Sequence, residues 1–275
     1  MEPYKHVVRE DFSSLHQLLD VISKRPNGKC MQGADSSKTN SKTFTGTSSY
    51  DEATKMLANG YIEILGQLKD DVKSKSKISA KYAADVAHPI PHAAIVGYTP
   101  CVPNAILGLP NSMISVDRVP MKRKTLSIIY VTGANAGTEA EYFSTAGAAL
   151  LSAINIIEKS GIQTQLKLAF FPSEEDDEVT FPTVTVKNYG ERYSLQKISF
   201  PLAHPSMFRR IGFKWLETTP DITKKGYKIG YGRVPDITRL KESVVIDKNT
   251  YLVDIKEIHR NNCDVTEILK KLEVI

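Results

Sequence analysis

The sequence predicts an α/β protein: a partly parallel sheet flanked by helices, preceded by a helical N-terminal region and an irregular proline-rich segment. Three observations predict it. Residues 125–131 (TLSIIYV) are a nearly continuous apolar run, as a central strand buried on both faces requires. Residues 138–160 place Phe143, Gly147, Leu150, Leu151, Ile154 and Ile157 at three-and-four spacing, which makes one buried helical stripe. A second apolar run at 162–171, an acidic turn and an alternating run at 179–187 complete the order strand, helix, strand, hairpin, strand.

In chain order, 11–24 reads as a short helix with Asp11 as its cap and Leu15, Leu18, Leu19 and Ile22 on one face. Residues 26–47 are polar and read as a loop. Ser49 and Glu52 form a capping box that opens a helix over 49–72, with Gly60 as a weak point. Residues 86–120 hold six prolines among many apolar side chains, which predicts an irregular segment packed over the core or into an interface. Thr138 and Glu141 form a second capping box, and Gly161 stops that helix. The small residues Ala146 to Ala149 would let the helix backbone approach the sheet closely, and Pro182 places strand 179–187 at a sheet edge. Residues 194–219 read as two short helices kinked by Pro201 and Pro205, 243–247 and 250–258 as a hairpin, and 264–273 as a terminal helix capped by Asp264. The division that follows is 1–85 (helical region), 86–121 (proline-rich segment) and 122–275 (α/β core).

The 275 residues are 41% hydrophobic and 24% charged, an ordinary globular composition, and no uninterrupted apolar run reaches the roughly 18 residues of a membrane span. The polar start MEPYKHVVRE reads as neither a secretory signal nor a transit peptide, so no membrane is expected. Cys30, Cys101 and Cys263 lack the spacing of a zinc site or disulfide framework.

Net charge is +5, and cationic runs raise the expectation of contact with nucleic acid. The candidates are Lys122, Arg123 and Lys124 before the first core strand, and Arg209 and Arg210 beside the only tryptophan, since an arginine fork matches phosphate geometry. The turn after strand 125–131, with Thr132, Gly133, Asn135 and Gly137, is where an open α/β sheet usually binds a ligand, although its glycines do not match a dinucleotide fingerprint. His88 and His92 stand four apart, but Pro89 and Pro91 break the helix that would bring them together. Asp247 and Asp254 read as strand-end and turn residues. No G-x-S-x-G elbow, P-loop, H-E-x-x-H or zinc-deaminase pattern occurs, so no catalytic residue and no cofactor are assigned.

The order of elements from 125 to 194 resembles the opening of a von Willebrand factor A domain, whose first strand ends in an Asp-x-Ser-x-Ser metal site. The matching turn here, 131–137, lacks the aspartate and both serines, so no metal is expected there. The patterns F-x-G-x-x-S-x-x-E-A at Phe44 to Ala53, G-Y-x-P-x-V-P-N at Gly97 to Asn104 and H-P-x-x-x-R-R at His204 to Arg210 are similar to an uncharacterised bacteriophage family. That resemblance implies a setting in host cytoplasm or virion. The function expected is a phage-encoded, non-enzymatic binding or assembly protein that contacts protein partners, itself or nucleic acid. The alternatives are a metal-dependent, nuclease-like hydrolase with ligands dispersed in sequence, and a structural virion component.

Overall fold

The computed structural model describes residues 2–26, 42–66, 91–116, 125–135, 137–220, 233–244, 247 and 250–274. The N-terminal elements are strand β1 (His6–Phe12) and helices α1 (Leu15–Lys24), α2 (Lys42–Thr45) and α3 (Tyr50–Asn59). Next come β2 (Pro91–Ala94), β3 (Thr99–Pro100), α4 (Val102–Ile106) and β4 (Met113–Val116). The core runs β5 (Thr125–Val131), α5 (Ala140–Lys159), β6 (Gln163–Ala169), β7 (Ser173–Glu175), β8 (Glu178–Lys187) and α6 (Leu195–Ala203). A π-helical turn (Met207–Gly212) leads into α7 (Phe213–Thr218), and α8 (Ile237–Ser243), β9 (Thr250–Asp254), α9 (Ile255–Arg260) and α10 (Val265–Lys271) follow.

The main sheet has the order β1-β8-β6-β5-β9, with β7 also on β8. It is mixed and mostly parallel: β6 and β9 flank β5 in parallel, β8 runs antiparallel to β6, and β1 lies parallel to β8. As its apolar run predicts, β5 is buried from Leu126 to Val131. Leu126, Ile128 and Tyr130 face a large core built with α1, α3, α5, α6, α7, α9 and α10, whereas Ile129 and Val131 face a smaller one closed by Tyr4, Leu240 and Val244.

Several boundaries differ from expectation for identifiable reasons. Residues 6–12 carry a polar, charged strand, β1, so Ser14 rather than Asp11 caps α1. Strand β8 is therefore interior. Pro182 is tolerated because its carbonyl accepts from the Phe170 N–H, so its missing donor faces the break between β6 and β7. Helix α3 stops at Asn59 because Gly60 turns left-handed (φ 87°), and a Cβ there would lie 2.0 Å from the Gln196 carbonyl oxygen. Helix α5 starts after Glu139 without the expected capping box. At Gly147 its small-residue stripe meets a helix: a Cβ there would lie 2.5 Å from the Ala203 Cα of α6. The expected hairpin at 243–258 is instead the end of α8, strand β9 and helix α9.

Helix α5 is also long and apolar enough to cross a membrane by composition, but it is the core helix, with Leu150, Leu151, Ala153 and Ile154 fully buried. Leu150→Asp is therefore expected to lower stability by several kcal/mol, the penalty for an unpaired carboxylate in an apolar core. Urea unfolding would measure it; a variant as stable as the parent would contradict this core.

Candidate functional site

The carboxyl ends of β5 and β6 open onto the turn 132–138. Thr132 is buried and donates its hydroxyl to the Ala169 carbonyl (3.0 Å), and Gly133 is pressed against Val234, which a Cβ would approach at 2.9 Å. The carbonyls of Asn135 and Thr138 turn inward and accept from Arg209 Nη2. Two features singled out separately in the sequence thus converge: the turn and one arginine of the pair. Gly137 is exposed and touches nothing that a Cβ would meet.

Both arginines lie inside the protein, Arg209 at 1% and Arg210 at 0% exposure. The π-helical turn aims them at the N-terminal segment. Arg209 Nη1 donates to the Phe44 carbonyl (2.6 Å), and its guanidinium carbon lies 3.9 Å over the Phe44 ring and 5.0 Å from that of Phe143. Arg209 Nε has no partner among the described residues. Burial brings its pKa down to about 10, so the group stays charged at neutral pH. Arg210 donates to the Thr47 hydroxyl (2.8 Å), the Thr47 carbonyl (2.7 Å) and the Thr45 hydroxyl (3.2 Å). The pair therefore offers no surface to a phosphate backbone, which needs exposed cations on one face. Lys122, Arg123 and Lys124 lie outside the described residues, as does His88.

His204 and Gly46 complete this contact between chain segments. The His204 ring stacks on Phe200 (4.9 Å), meets Tyr61 edge-on (4.9 Å), and accepts from the Ser206 N–H at Nδ1 (3.2 Å). A Cβ on Gly46 would lie 2.8 Å from His204 Cε1. Asp254, at the end of β9, is buried and its carboxyl is raised above the ordinary range chiefly by that burial. Among the described residues, no three His, Cys, Asp or Glu side chains form a metal-binding group.

Residues 91–116 make a separate arm. Antiparallel β2 and β3 flank β4, and α4 fills the β3–β4 connection. Gly97 is required here, because a Cβ would lie 2.0 Å from the Ile114 carbonyl oxygen; Tyr98 N–H bonds that oxygen (3.0 Å), and the Asn104 amide donates to the Asn111 carbonyl (2.8 Å). The expectation of packing over the core is not met: no residue from 91 to 115 is buried. Ile95, Val96, Tyr98, Val102, Ile106, Leu107 and Leu109 are 46% to 79% exposed. The sequence showed the apolar residues but not their exposure, since hydrophobicity alone predicts burial.

Fold and site together define an α/β protein with a clamped N-terminal segment and an apolar arm. The chain belongs to the family described as Domain of unknown function (DUF7192), whose model matches residues 2–275. Neither a curated protein nor a solved structure matches it.

Two outcomes test the clamp. Arg209→Lys keeps a charge but cannot reach both the Phe44 and Thr138 carbonyls, so it is expected to lose about 2 kcal/mol in urea unfolding. His204 is held near pKa 4 by burial, against about 6.5 unfolded. The unfolded chain therefore takes up the proton first, and His204 weakens folding as pH falls from about 6.5 to about 4, by on the order of 3 kcal/mol in full. Above that window it has no effect. Asp254, raised in the folded state, acts in the opposite sense. Unfolding free energy across pH for the parent and His204→Gln should differ in slope within that window alone.

Proposed function

We propose that this is a phage-encoded, non-enzymatic binding and assembly protein, whose arm at 91–116 docks on a second copy of the chain. The observation that carries the reading is the arm itself: seven large apolar side chains at 46% to 79% exposure within 95–109. Such concentrations mark interaction surfaces in soluble proteins. The segment 91–116 contains no Asp, Glu, Lys or Arg. A chain of net charge +5 repels its own copies, and an uncharged arm is where two copies meet without opposing like charges. Lack of cationic side chains also argues against nucleic acid as the arm's partner. The phage setting rests on the three sequence patterns quoted above. The strand order β8-β6-β5-β9, with β8 antiparallel and the β5 turn leading into α5, supports reading the core as von Willebrand factor A-like with its metal site lost.

Sedimentation velocity over a concentration series tests the assignment. The parent is expected to self-associate by the hundred-micromolar range, about 5 kcal/mol of association free energy. The double variant Val96→Asp, Ile106→Asp should remain monomeric with an unchanged melting temperature, because both side chains are 79% exposed. A parent that stays monomeric, or a double variant that associates equally, would refute self-docking and leave a different protein as the partner.

A further inference from the structure

Beneath the end of β9 lies a polar group that neither the clamp nor the arm uses. His259 of α9 stacks on Tyr142 of α5 (ring centroids 3.6 Å apart, 11° between planes), and its Nε2 lies 2.7 Å from the Tyr142 carbonyl oxygen. A carbonyl only accepts, so Nε2 carries the proton and Nδ1 presents a lone pair. That lone pair faces the Cys263 sulfur at 3.6 Å. Cys263 is held there by a turn in which it and Asn262 are both left-handed (φ 53° each), closed by its N–H to the Ile258 carbonyl (2.8 Å).

A second observation is independent of this pair. The Tyr130 hydroxyl of β5 is completely buried and has no hydrogen-bond partner among the described residues. It lies within electrostatic reach of Asp254, Tyr142 and Cys263. A buried donor without a partner is rare. Cys263 and His259 are only partly buried.

We propose that Cys263 is an activated thiol that small hydroperoxides oxidise to a sulfenic acid, with His259 as its base and the Tyr130 hydroxyl as donor to the peroxide. The thiol proton passes to His259 Nδ1, where the imidazolium is held by the Tyr142 carbonyl. The thiolate sulfur attacks one peroxide oxygen; the S–O bond forms as the O–O bond breaks. The departing oxygen takes the proton back from Nδ1 and leaves as water, or as an alcohol from an alkyl hydroperoxide. Sulfur is oxidised by two electrons and the peroxide is reduced. Thiolate formation is the activating event.

The test is the rate of sulfenic acid formation by hydrogen peroxide in the full chain, trapped with dimedone and read at each cysteine by mass spectrometry across pH. Cys101, only partly buried as well, is the internal reference. The groups that shape the profile are His259 and Arg260 of α9, Tyr142 of α5, Tyr130 of β5 and Asp254, the last in turn facing Lys256, Glu257 and Lys271. Cys263 is expected to react at least about tenfold faster than Cys101 at neutral pH, with a midpoint below the ordinary thiol value of about 8.5. His259→Gln should remove the advantage and restore the ordinary midpoint. Tyr130→Phe, which deletes a hydroxyl without a hydrogen-bond partner among the described residues, should slow the reaction several-fold without lowering the melting temperature. Should His259→Gln fail to fold, the parent's two rates and Tyr130→Phe still decide. Equal rates at Cys263 and Cys101, or a folded His259→Gln that reacts like the parent, would overturn the assignment; an unchanged rate in Tyr130→Phe would overturn the donor role.

Discussion

Two adjacent guanidinium groups are buried where the N-terminal segment, the turn after β5 and the helical layer meet. Desolvating each costs several kcal/mol, so the surrounding backbone must be arranged to repay it. Arg209 is met by the carbonyls of Phe44, Asn135 and Thr138 and by two aromatic rings; Arg210 is met by Thr45 and Thr47. None of these oxygens is in position unless α2, the 132–138 turn and the π-helical turn are all in place. The extra residue per turn of a π-helix lets both side chains of Met207–Gly212 point inward. The end of the sheet at which open α/β folds usually bind ligands is thus occupied here by the protein's own arginine.

The same contact gives a physical reason for two of the sequence patterns. Phe44 and Gly46 of the first pattern receive Arg209 and His204 of the third, while the Thr47 hydroxyl meets the Ser206 hydroxyl at 2.8 Å. Ser49 caps α3 through the Glu52 N–H, and Glu52 reaches back to the Ser48 N–H at 2.6 Å. Residues whose chemistry suggests a site are here consumed by one seam in the fold. Histidine and arginine carry the same chemical signature whether they bind a ligand or a neighbouring loop, and only burial separates the two.

Where periodicity was strong, the fold was legible: the apolar run of β5, the α5 stripe, β6 and the break at Gly161. Strand β1 was not, because an edge strand with alternating charges, HVVREDF, has no apolar run to announce it. Residues 243–258 were misread because short β-branched runs fit a strand or a helix equally well, and the order helix, β9, helix is decided by the ladder to β5 and by Asp254 at the head of α9. Arg209 and the turn were both visible in sequence, but their junction was not, since 74 residues separate Arg209 from Asn135. The Cys263–His259 pair, four residues apart, was within reach of inspection; what concealed it was the left-handed turn that folds the thiol back onto the ring.

The arm inverts the usual relation between composition and burial. Its shape is maintained by backbone-level devices: the close approach of Gly97 to Ile114, the Tyr98 N–H bond, and the Asn104 amide on Asn111. Those contacts leave Ile95, Val96, Ile106 and Leu107 without a part in the core. A fold selected only for stability would replace such side chains with polar ones, because exposed apolar surface favours non-specific association. Their presence on a segment without Asp, Glu, Lys or Arg is what the self-docking proposal rests on. It also separates two demands on the sequence: the arginine seam specifies one native structure, and the arm, held by glycine and asparagine, can vary its side chains without disturbing that structure.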